Sequence, residues 1–199
     1  MDGPADAILH TRGLMTLYSI VLFVHLLSAL ALFIGFGLEW TAVSLLRRST
    51  NTEQARAWLR VYRVSAPISG PALLLLLLSG GYLASLIGAM KQGWIPATFV
   101  GIAIVVLLGA VLNVPRMRAI RNTLPPGNEA LPAAAIVHLN NPVLSTSVRL
   151  RTMLALGIVF LMATKQPFGA SMIVFGCAAV LGLLLSIPVW LRKPSSAAN

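Results

Sequence analysis

Five residues of one apolar stretch carry whatever chemistry this chain has. His25, Ser28, Leu32, Gly35 and Glu39 follow one another at steps of three, four, three and four, which places them on a single helical face. A neutral imidazole on that face can ligate haem or copper, or relay a proton. Alternatively it is a structural group, hydrogen-bonded to a serine or a carbonyl of a neighbouring helix. A carboxyl group can pair with a cation or carry a proton. His25 and Glu39 lie ~21 Å apart at helical rise, so within one helix they cannot act on each other.

The element that must position them is a membrane helix. No charged side chain occurs between Arg12 and Glu39, and at ~1.5 Å per residue that run crosses a hydrocarbon core of ~30 Å. Polar groups inside such a helix are costly unless they face protein or water, so the stripe should look towards other helices. The run is too long for a signal peptide and continues without a clear cleavage site into Glu39 and Trp40, so it is read as retained. Residues 1–15 are read as a polar tail with a solvated His10, and Met15 is an alternative start.

The whole chain has the same character. Of 199 residues, 57% are hydrophobic and 10% charged, and the mean hydropathy is +0.85, the composition of a polytopic membrane protein. A net charge of +10 raises nucleic acid as a partner. The basic residues stand at the ends of apolar runs, however, and the positive-inside rule accounts for them without it. Cys177 is the single cysteine, which excludes an intramolecular disulfide and a paired-cysteine metal or redox motif. Phosphate-loop, His-Glu-x-x-His and zinc motifs are missing as well.

The expected fold is all-α: one domain over 16–191 with five transmembrane helices at about 17–46, 67–90, 96–115, 142–165 and 168–191, then a polar tail at 192–199. Asn51 or Thr52 starts a short helix, with Trp58 and Tyr62 on it as a membrane-interface belt. Pro67 and Pro71 mark the entry to helix two, where Ser79, Gly80, Gly81 and Ser85 allow close packing. Asn113 and Pro115 mark the end of helix three, and 116–141 is read as a loop with a helical turn near Ala133 and a surface His138. Asn141 caps helix four with Pro142 at its first position. Ala178, Gly182 and Ser186 form a packing stripe on helix five. Met153 and Met162 are read as packing residues.

Lysine and arginine number five in 47–63, five in 116–151 and two in 192–193, against one each at Arg12, Lys91 and Lys165. The alternation places the amino terminus outside and the carboxyl terminus in the cytoplasm. Glu39 needs a cation at its own depth. Arg149, ~10 Å inside helix four against ~12 Å for Glu39, is the expected partner, with Arg151 or Arg116 next.

The segment Leu22-Phe23-Val24-His25-Leu26-Leu27-Ser28-Ala29, Gly35 and the run Met162-Ala163-Thr164-Lys165-Gln166-Pro167 resemble a bacterial family of predicted integral membrane proteins known only as a domain of unknown function. That family has a four-helix core with a histidine in the first helix. The likeness spans about 17–167. More distantly the chain is similar to the membrane domain of copper-resistance protein D and to bacterial haem-associated protoporphyrinogen oxidase. The resemblance implies the bacterial inner membrane and makes His25 the candidate ligand of a b-type haem, with a homodimer supplying a second His25. Leu22 stands where such families often have lysine, Gln166 separates Lys165 from Pro167, and the fifth helix is additional. Three readings are open: an accessory, non-catalytic membrane protein, alone or with another membrane subunit; a haem- or metal-linked redox protein using His25; and a small proton-coupled transporter using Glu39.

Overall fold

The structure, a computed structural model, describes the backbone of residues 4–191 and the side chains of 16–191. The expected roles of His10, Met15 and the tail after Leu191 therefore lie outside the described residues. Among the described residues the regular structure is all helical, apart from one isolated antiparallel bridge between Asn51 and Ala130. Helix α1 runs Pro4–Leu46, α2 Thr52–Leu86, α3 Trp94–Leu108, α4 Val114–Thr123, α5 Ala133–Asn140, α6 Pro142–Thr164, α7 Phe168–Leu184 and α8 Ile187–Trp190. Five stretches are long and apolar enough to cross a membrane: Thr16–Leu46, Thr52–Leu86, Trp94–Thr123, Ala133–Thr164 and Phe168–Trp190.

The expected caps form. The Asn51 side chain accepts a hydrogen bond from the Gln54 N–H at 2.8 Å, and Asn141 accepts from Val143 N–H at 2.9 Å with Pro142 in the first turn. Proline was the weaker guide. The short helix at 51–63 and helix two are one rod, because α2 continues through Pro67 and Pro71. Losing two backbone hydrogen bonds costs less, in apolar surroundings, than opening the chain and orphaning a full turn at each broken end. Helix three likewise does not stop at Pro115. Residues Gly109–Asn113 form a π turn that joins α3 to α4. Pro115 lacks the N–H that would reach the Val111 carbonyl, and the wider turn absorbs that loss without ending the helix. Much of the expected loop at 116–141 is thereby helical. In α1 the helix begins at Pro4, ahead of the expected start near Leu17.

Helix α1 packs along α2, and α6 is the hub, touching α1, α3 and α7. Apolar clusters fill the interior, two of them built around α6. One holds Phe36, Val105, Leu154, Ile158 and Phe175 at mid-depth. The other holds Val43, Leu46, Leu59, Ile120, Leu144 and Val148 at the end where α2 and α6 begin, the basic end. Trp58 and Tyr62 pack inward on this second cluster rather than forming an outward belt. Arg47 donates to the Asn141 and Asn140 carbonyls at the C-terminus of α5, at 2.8 and 3.3 Å, where a cation opposes the helix dipole. Phe23, Leu30, Leu78, Leu107 and Ile173 face outwards, as residues against lipid would.

Close helix contact depends on small residues at named places. A Cβ on Gly182 would lie 2.8 Å from the backbone of Leu150, so Gly182→Ala should separate α7 from α6 and lower the detergent melting temperature, at a cost of about 1–3 kcal/mol. Gly176 on the same helix has nothing within 4 Å of such an atom. Gly176→Ala should leave the melting temperature unchanged or raise it, by up to about 1 kcal/mol of helix propensity. Equal losses in both variants would show that α7 does not pack in this register.

Candidate functional site

Glu39 sits on α1 between Phe36 and Val43, one residue from each apolar cluster, and is buried. Its partner is Arg151: the guanidinium Nη1 donates to the Glu39 carboxylate at 2.7 Å. This corrects the expectation for Arg149. Arg149 has the right depth but the wrong direction, since it donates to the Leu185 carbonyl and its guanidinium lies 5.5 Å from the centre of the Trp40 ring. Residues two apart on a helix face nearly opposite ways. Arg151 follows Leu144, Ser147 and Val148 and precedes Leu154, Ala155 and Ile158 on the buried stripe of α6. Arg116, the other alternative, donates to the Leu112 carbonyl in its own helix at 2.9 Å.

Arg151 does more than neutralise Glu39. Its Nε donates to the Val105 carbonyl of α3 at 3.0 Å, and its guanidinium stacks 5.2 Å from the centre of the Phe36 ring. The approach needs Gly109, where a Cβ would come within 2.9 Å of the guanidinium carbon. The second Glu39 oxygen faces the Ser65 hydroxyl of α2 at 3.4 Å, and that hydroxyl also donates to the Tyr62 carbonyl at 2.7 Å. One charge pair thus ties α1, α2, α3 and α6 together.

The other half of the stripe builds a different place. His25 is half-buried against α2, and its Nδ1 lies 3.0 Å from the Ser79 hydroxyl. That hydroxyl gives its one hydrogen to the Leu75 carbonyl, so it accepts from an Nδ1–H. Nε2 is then the ring nitrogen with a free lone pair. Gly80 lets the ring lie flat, because a Cβ there would come within 2.9 Å of the His25 Cε1. Ser28 is buried but spends its hydroxyl on the Val24 carbonyl of its own helix at 2.7 Å.

His25 lines a slot of about 300 Å³ between α1, α2, α3 and the end of α6, at the lower end of the roughly 300–1,000 Å³ typical of ligand sites. Its walls include Leu22, Leu76, Gly80, Gly81, Phe99 and Ile102, and Tyr18, Trp94, Met162 and Lys165 also border it. Thr98 lines it too, buried, with an Oγ1 that has no hydrogen-bond partner. Sequence spacing missed Thr98 and Lys165 as neighbours of His25, since nothing in the spacing of α1 reports on α3 or on the end of α6. No group of three or more His, Cys, Asp or Glu among the described residues gathers into a metal site, and His138 is exposed on α5.

Glu39→Gln and Arg151→Gln should each lower stability in detergent by about 3–5 kcal/mol, because each strands a buried partner, and the double variant should lose clearly less than the sum. Arg149→Gln should add independently to Glu39→Gln. Strict additivity for Glu39 and Arg151 in this double-mutant cycle would remove the pair.

No curated protein and no solved structure matches the chain. A family described as "Predicted integral membrane protein (DUF2269)" matches residues 19–166, from just before His25 to Gln166, so that the ion pair, His25 and Ser79 all fall inside the match. The chain belongs to that family of predicted integral membrane proteins of unknown function.

Proposed function

We propose that the protein is an accessory, non-catalytic protein of the bacterial inner membrane that holds an apolar, membrane-dissolved ligand in the slot beside His25. The amino terminus faces outwards and the carboxyl terminus the cytoplasm. The observation that carries this reading is the division of labour along α1. Glu39 is engaged by Arg151 in a contact that joins four helices, whereas His25 presents a free nitrogen beside a space large enough for a ligand.

The second reading is a haem-linked redox protein, with a b-type haem ligated by His25 in the slot. Ser79 fixes the Nδ1–H tautomer, the arrangement that supports metal-bound histidines. Leu76, Gly80, Phe99 and Ile102 offer apolar walls, and Lys165 is the cation bordering the slot that a propionate would need. The donors fit one strong axial ligand, His25. Bound haem would supply electron transfer or diatomic-gas chemistry, and His25 would set its position. The transporter reading draws on Glu39, and its engagement with Arg151 supports a structural role for that carboxylate instead.

Absorption spectra of protein purified from haem-replete cells should show a Soret band in the wild type and in Gly176→Ala, and none in His25→Ala. A spectrum without that band removes haem and leaves the apolar-ligand reading, whereas substrate-dependent proton flux in liposomes that Glu39→Gln abolishes would replace both with a carrier. Reporter fusions after Asn199 and within 125–130 should both report the cytoplasm, and a fusion at Gln92 the outside. The reverse pattern would invert the orientation.

A further inference from the structure

The polar groups around the ion pair do not all find partners within the protein. Asn113, at the end of the π turn, is 1% exposed, and its amide approaches the Tyr62 side chain of α2 without completing a well-formed hydrogen bond on Oδ1 or Nδ2. Ser147 on α6 is also 1% exposed with an unpartnered hydroxyl. Amide and hydroxyl groups held in this way inside a membrane protein are expensive. Two of them in one place call for a shared partner.

They are in one place by helix register. α3 and α6 run antiparallel, and Gly109 of the π turn meets the guanidinium of Arg151. One turn nearer the basic end on each strand of that contact, four residues after Gly109 and four before Arg151, stand Asn113 and Ser147. The Tyr62 side chain of α2 reaches the same Asn113, and three residues further along α2 the Ser65 hydroxyl faces Glu39. By register, Tyr62, Asn113 and Ser147 thus lie one turn to the basic side of Ser65 and Arg151, the two groups that face Glu39.

We propose that Asn113, Ser147 and Tyr62 hold ordered water one turn to the basic side of Arg151, enclosed within the bundle. Water is the occupant that matches the donors. The amide offers both a donor and an acceptor, the two hydroxyls offer either, and two to four such partners are what a buried water requires. A cation is disfavoured by the adjacent guanidinium, and an anion by the Glu39 carboxylate. Apolar clusters close both sides, Phe36, Leu154 and Ile158 towards one end and Val43, Leu46, Ile120 and Val148 towards the basic end, so the water is enclosed. The wider π turn is what brings Asn113 inward, since it ends at that residue.

The test is magic-angle-spinning NMR of the full chain in lipid bilayers with asparagine side-chain nitrogens labelled, using Asn113→Leu to assign the resonance. Water magnetisation should reach the Asn113 amide despite its burial. Ser147→Ala and Tyr62→Phe should each reduce that transfer by at least about twofold by removing one of the water's few partners, while Thr98→Ala, in the His25 slot, should not. Absence of transfer in the wild type, an unchanged rate in Ser147→Ala, or a direct hydrogen bond between Asn113 and Ser147 would each overturn the site.

Discussion

A carboxylate and a guanidinium inside a membrane bundle set the terms for the rest of this structure. Neither group tolerates apolar surroundings alone, and the attraction between them offsets their loss of water only when the remaining lone pairs and N–H groups are also used. Arg151 meets the condition by reaching Val105 on α3 as well as Glu39 on α1. Because the partners sit on different helices, meeting it fixes the relative height and rotation of α1, α3 and α6, which apolar packing in lipid would leave loosely determined. Such a contact serves registration more than net stability.

The helix irregularities follow from that contact. A guanidinium can lie against a helix backbone only where a side chain is missing, and Gly109 is that position. The same residue opens the π turn, which carries the helix towards Pro115 and ends at the buried Asn113. A regular helix there would turn later residues by a fraction of a turn and take Asn113 off the face that looks at α6. The proline, the glycine and the asparagine thus serve one local geometry, the docking of Arg151.

The fold was largely legible from the chain because apolar runs of membrane length and the Asn141-Pro142 helix start are strong, local signals. The shared face of His25, Gly35 and Glu39 was legible for the same reason: all three meet neighbouring helices, His25 at Ser79, Gly35 at Ser69 and Glu39 at Arg151. Two kinds of information were not so accessible. The first is direction about a helix axis. Depth selected Arg149, whereas the three- and four-residue spacing of Arg151 with Val148, Leu154 and Ile158 already pointed to the buried face, so the signal was in the sequence and depth was the wrong coordinate to read. The second is the behaviour of proline where water is scarce. In solution Pro67, Pro71 and Pro115 would be fair helix boundaries, but inside a bundle the broken turn is costlier than the lost bond, and both helices continue.

The same reasoning separates the two polar places on α1. At Glu39 each partner is itself fixed by a second contact, Arg151 by Val105 and Ser65 by the Tyr62 carbonyl, so movement of the carboxylate would disturb three other helices. At His25 the partners, the Ser79 hydroxyl and the Leu76 backbone, both belong to the adjacent helix, and Ser79 is satisfied by its own backbone. The ring there can gain an interaction on its other nitrogen without breaking one. A site that must accept and release a ligand needs that asymmetry, with one side of the group anchored and the other unspent, and between the glutamate and the histidine of this face only the histidine has it.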